Sequence, residues 1–70
     1  MELNNYIKRL GLEIEEVNDK ELKIYGQGNR YELIEKFKKV DKNLKKRGYI
    51  GYGSYTDGYT IIEYFNKVNK

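Results

Sequence analysis

Acid–base and nucleophilic chemistry need particular side chains, and this sequence holds few of them. Histidine and cysteine are both absent, which removes the commonest general base, the commonest transition-metal ligand and the thiolate nucleophile. Ser54 is the only serine. Without histidine it has no Ser-His-Asp partner, and a Ser-Lys pair needs a desolvated lysine, whereas every lysine here reads as exposed. Glu13, Glu15, Glu16, Asp19 and Glu21 crowd one segment. Carboxylate oxygens suit a divalent cation, but the calcium-loop pattern is missing, and strand alternation turns Glu13 and Glu15 away from Glu16. No spacing sets two acids across a pocket as a glycoside hydrolase requires. Gly26-Gln27-Gly28 precedes a helix start, a place where backbone N–H groups can hold phosphate. A dinucleotide fingerprint would need a third glycine where Tyr31 stands, and no Gly-Lys-Ser/Thr occurs. Turn glycines and a helix cap account for these residues. The expectation is a protein that is not an enzyme, with no cofactor and no metal site.

Two features suit binding instead. Residues 1–35 carry 5 basic and 8 acidic side chains, and residues 36–70 carry 9 basic and 3 acidic ones, for a net charge of +3. The basic excess lies in one run: Lys36, Lys38, Lys39, Lys42, Lys45, Lys46 and Arg47. On a helix, Lys39, Lys42 and Lys46 fall opposite a Phe37-Val40-Leu44 stripe, with Lys38 and Lys45 on one flank and Lys36 and Arg47 on the other. Such a surface suits phosphates or an acidic protein, although a lysine-rich solvated face is also common without any partner. The second feature is aromatic. Tyr49, Tyr52, Tyr55, Tyr59 and Tyr64 fall within sixteen residues, interleaved with Gly51, Gly53 and Gly58. Phenols need hydrogen-bond partners when buried, so five of them in one short segment point to a surface, and exposed tyrosines are favoured contacts at interfaces.

These residues must be positioned by a small set of elements. Leu3, Tyr6, Ile7 and Leu10 recur at helical spacing before Gly11, which predicts a short helix over about residues 2–10. Leu12 and Ile14, then Leu22 and Ile24, alternate with polar residues around the turn Asn18-Asp19-Lys20. A three-residue loop there pairs Val17 with Glu21, Glu15 with Lys23 and Ile14 with Ile24. Asn29 is a good N-cap with Glu32 three residues on, and Leu33, Phe37, Val40 and Leu44 follow at helical spacing until Gly48. This predicts a long amphipathic helix over about residues 30–47. The Tyr-, Ile- and Thr-rich segments around Asp57-Gly58 predict a second hairpin with a type I′ turn. A rival assignment makes residues 59–69 a helix, since Ile61, Ile62, Phe65 and Val68 also fit that period. With Asp57-Gly58 as the turn, Ile50, Tyr52, Ile61 and Phe65 share the core face. Tyr49, Tyr55, Ile62 and Tyr64 then surround a bare floor at Gly51 and Gly53, and the alternative is that the long helix packs against those glycines and buries the tyrosines. The polar terminus Asn66–Lys70 is expected to fray.

The whole is expected to be one α+β domain over residues 1–70, in the order α-β-β-α-β-β. Its four-stranded, largely antiparallel sheet packs on the long helix. The RNA-recognition fold also displays aromatics on a four-stranded sheet, but its strand–helix order differs and its aromatic motif is missing here. Apolar runs are too short to span a membrane, and Met1-Glu2-Leu3-Asn4-Asn5 has neither the charged start nor the apolar stretch of a secretion signal, so a cytoplasmic protein is expected. With 70 residues and no disulfide, stability is limited and a homodimer is one way to supplement it. The leading expectation is a non-catalytic protein-binding module that occupies a surface of another protein or ribonucleoprotein complex. By size and composition alone, small phage or mobile-element inhibitors of host defence nucleases, such as anti-CRISPR proteins, offer an analogy. The alternative is a small nucleic-acid-binding domain, with the lysine helix on phosphates and tyrosines stacked on bases.

Overall fold

Segments with apolar residues three or four apart form helices, and the alternating segments form strands. The computed structural model describes residues 3–68. It runs α1 (Leu3–Arg9), β1 (Glu13–Glu16), β2 (Glu21–Gln27), α2 (Arg30–Lys46), β3 (Tyr49–Asp57) and β4 (Thr60–Lys67). The expected order is therefore the observed one. Three of the local signals have direct physical counterparts. Asn18 Oδ1 accepts from the N–H groups of Lys20 and Glu21 at 2.9 and 3.0 Å, which closes the first hairpin. Asn29 Oδ1 accepts from the N–H groups of Tyr31 and Glu32 at 2.9 and 3.2 Å, which caps α2. Gly48 follows α2 at φ +90°, a conformation that favours glycine.

The sheet is antiparallel, in the order β1-β2-β4-β3. In the first hairpin Ile14 pairs with Ile24 and Glu15 with Lys23, as the spacing predicts. The core gathers Ile7 of α1, Leu12, Leu22 and Ile24 beside Leu33, Phe37, Val40 and Leu44 of α2, with Ile61 and Phe65 of β4. Both helices thus pack on one face of the sheet, and Tyr6 Oη reaches the Lys39 carbonyl between them at 3.5 Å. Alternation sends Lys23, Tyr25, Ile62 and Tyr64 to the other face, which no helix covers among the described residues.

Three details differ from expectation. Gly26 and Gln27 continue β2 instead of breaking it. Gly26 is needed inside the strand because Leu12 and Leu33 close over it, leaving no room for a β-carbon: one placed there would overlap Leu12 Cδ2. Residues 60–67 form β4, as the hairpin assignment predicts, and the rival helical assignment of 59–69 fails. Asn66 and Lys67 pair with Ile50 and Tyr49 rather than fraying, while Asn69 and Lys70 lie outside the described residues.

The third difference is the register of the second hairpin. Asp57 pairs with Thr60 and Thr56 with Ile61, so the turn is Gly58-Tyr59, not Asp57-Gly58. The Gly28 N–H donates to the Tyr59 carbonyl at 2.8 Å and holds that turn against the β2–α2 loop. A shift between Gly51 and Gly53 then makes Tyr52 an extra residue, a β-bulge. Beyond it the two faces of β3 exchange. Ile50 leaves the core and stands 52% exposed, whereas Tyr49 packs half-buried against the core. Gly51 lies under Phe65, 3.5 Å from its ring if given a β-carbon, and so faces α2 and not the tyrosines.

Candidate functional site

The uncovered face of the sheet carries the aromatic residues. Its central rows follow from the pairing. Glu13, Tyr25, Ile62 and Tyr55 form one row across the four strands. Glu15, Lys23, Tyr64 and Gly53 form the next. Gly53 leaves space on the outer strand, and the bulged Tyr52 fills it by lying against Tyr64. Their ring centroids are 6.1 Å apart with 27° between planes. The Tyr52 hydroxyl donates to Glu21 Oε2 on β2 at 2.8 Å. This bond favours the neutral phenol and raises the Tyr52 pKa above its ordinary value, with desolvation and the Glu21 charge adding to it. Lys23 stands over the Tyr25 ring at 5.4 Å and meets Glu15 at 3.9 Å. The face therefore has an aromatic and aliphatic centre, and Glu13, Glu15 and Glu21 give it an acidic side.

The five expected tyrosines do not form one surface. Tyr52, Tyr55 and Tyr64 share the open face. Tyr59 sits at the hairpin turn, 77% exposed. Tyr49 is withdrawn from the set, because the bulge turns it toward the helices, where Lys67 lies 5.8 Å from its ring centroid. Tyr25 belongs to the face but falls outside the tyrosine-rich segment. The alternation of β2 places it opposite Ile62, and that pairing of distant strands has no signature in local spacing.

The basic residues lie elsewhere. Lys38, Lys39, Lys42, Lys45, Lys46 and Arg47 are exposed on the helix layer, on the far side of the molecule from Tyr52 and Tyr64. Lys38 pairs with Glu35 at 3.7 Å, and Arg47 Nε donates to Asn43 Oδ1 at 2.8 Å. Lys39, Lys42 and Lys46 border a shallow depression beside Tyr6. At the start of α2, the N–H groups of Gly28, Tyr31, Glu32 and Leu33 all have acceptors within the chain, which leaves these four no free donor for a phosphate.

A third feature was not legible in the spacing. Between α2 and β3 lies an open cleft of about 470 Å³, with Phe37 and Ile61 at its floor and Asp41 and Glu63 among its walls. Burial, reinforced by the nearby Asp41 charge, raises the Glu63 pKa above its ordinary value. Asp41 and Glu63 are 22 residues apart in the chain, and only the packing of α2 across the sheet brings them together. Among the described residues no group of three or more potential ligands gathers to hold a metal ion, and no helix is long and apolar enough to cross a membrane. Comparisons with family models, curated proteins and solved structures return no match.

Proposed function

We propose that this protein is a non-catalytic protein-binding module whose partner docks on the open face of the sheet. The observation that carries this reading is the Tyr52–Tyr64 stack, which stands uncovered beside Tyr25, Tyr55 and Ile62. Rigid aromatic rings supply contact area at small entropic cost, and the bond from Tyr52 to Glu21 holds one of them in place before any partner arrives. Glu13, Glu15 and Glu21 favour a partner with an apolar centre and basic residues around it. A module of this kind acts by occupying the surface it covers, which is how a small inhibitor of a larger macromolecular complex works. Nucleic acid is the less favoured partner. Stacked tyrosines and phosphate-binding lysines would have to serve one strand, yet they lie on opposite sides of the sheet, and the tyrosine face is bordered by carboxylates that repel phosphate.

Site-specific photo-crosslinking tests the reading. A photoreactive phenylalanine analogue at position 55 should capture a protein from lysate of the cells that make this chain, and the same group at position 42 should not. Tyr64→Ala should weaken capture about tenfold, as an interface anchor does. Capture from position 42 alone, or nucleic acid bound to wild-type protein and lost on Lys42→Glu with Lys46→Glu, would overturn it.

A further inference from the structure

The cleft between α2 and β3 exists because the helix-facing positions of β3 are small. Gly51, Ser54 and Thr56 stand where larger residues would have filled the space under α2. β3 is also a sheet edge, so among the described residues its outer N–H and C=O groups have no strand beside them. The other edge, β1, is four residues long and carries three glutamates, a composition that discourages pairing. β3 runs nine residues with Asp57 as its one charged side chain, and its stretch from Gly53 to Asp57 pairs regularly with β4.

We infer that the β3 edge and the adjoining cleft form a docking site, distinct from the Tyr52–Tyr64 stack, for an extended peptide segment carrying an arginine or lysine. The segment adds as a fifth strand along Gly53–Asp57, and its basic side chain enters the cleft. Two properties of the cleft select that side chain. Phe37 and Ile61 offer an apolar floor to an aliphatic stem. Asp41 and Glu63 offer two carboxylates to its cationic head, and neither has an ion pair or side-chain hydrogen bond among the described residues. Lys38 also borders the cleft, but it is paired with Glu35. Burial, with the Asp41 charge adding to it, raises the Glu63 pKa, and an incoming cation would relieve the repulsion between the two carboxylates. Backbone pairing supplies affinity, and the cleft supplies the choice of side chain.

The test titrates the full-length protein, by amide NMR, with a capped Thr-Val-Arg-Val-Thr peptide and with its citrulline counterpart, which keeps the shape and loses the charge. The arginine peptide should shift the amides of residues 53–57 and those beside Asp41 and Glu63. It should bind about tenfold more tightly than the citrulline peptide. The double variant Asp41→Asn, Glu63→Gln should abolish that preference while keeping the wild-type spectrum elsewhere. Tyr64→Ala should leave it unchanged, which separates this site from the Tyr52–Tyr64 stack. Equal affinity for the two peptides, shifts confined to the open face, or no shifts at millimolar peptide would each overturn the inference. So would concentration-dependent broadening of β3 without peptide, because a second copy of the chain would then hold the edge.

Discussion

Tyr52, the extra residue of the edge strand, hydrogen-bonds Glu21 two strands away, at 2.8 Å from hydroxyl to Oε2. Its ring crosses Tyr64 on the intervening strand, so one side chain ties the bulge of β3 to β2 over the top of β4. A bulge that only relieved strand register would leave its side chain free; here it builds part of the candidate binding face.

Glu21→Gln should lower the Tyr52 titration midpoint toward the ordinary phenol value, because the carboxylate is both the acceptor that favours the neutral phenol and a repelling charge. A phenol whose pKa rises on folding contributes stability fully below the unfolded value near 10, and loses it as pH climbs through the folded value. Ultraviolet titration of wild type, Tyr52→Phe and Glu21→Gln reads the difference. Identical curves for wild type and Glu21→Gln would remove the bond from the account.

Glu63 gives the opposite end of the pH scale its own signature. A carboxyl raised on folding contributes stability fully below its unfolded value near 4.5, and that contribution is lost as pH rises through the higher folded value. Glu63→Gln stays neutral and should flatten the corresponding fall in Tm. Thermal melts across the acidic range check this, and a fall of equal size in the variant would assign it to another group.

Gly26→Ala should destabilise the fold by about 1–3 kcal/mol, the usual cost of forcing an extra methyl into a packed core. Leu12 and Leu33 are both nearly fully buried over that glycine, so neither can swing away freely. Denaturant unfolding measures it; a variant as stable as wild type would mean that the two leucines repack.

Tyr49→Ala and Tyr55→Ala should separate, although the residues are six apart on one strand. Tyr49 packs against the core and its loss should cost about 1–3 kcal/mol, whereas Tyr55 is 56% exposed and should change stability by less than about 0.5 kcal/mol. Paired thermal melts decide. Equal losses would place Tyr55 in the core as well.

What the sequence determined by itself was carried by contacts close along the chain. The spacing of Leu33, Phe37, Val40 and Leu44 and the cap at Asn29 set α2, and Asn18 with alternating residues on either side set the register of the first hairpin. Each depends on hydrogen bonds or side-chain periods spanning a few residues, which any reader of the sequence can count. The tyrosine-rich segment was likewise visible as a candidate surface. Which of its residues reach that surface was decided in three dimensions. The turn falls one residue later than Asp57-Gly58 suggests, with the Tyr59 carbonyl bound by Gly28, and the Tyr52 bulge then exchanges the faces beyond it, bringing Gly51 under Phe65 and swapping Ile50 and Tyr49. Because side chains alternate with a period of two, a one-residue insertion moves every residue beyond it to the other face, so the membership of the surface depends on the register. The meeting of Asp41 with Glu63, and the recruitment of Tyr25 beside Ile62, likewise follow from how distant elements cross, on which local spacing is silent.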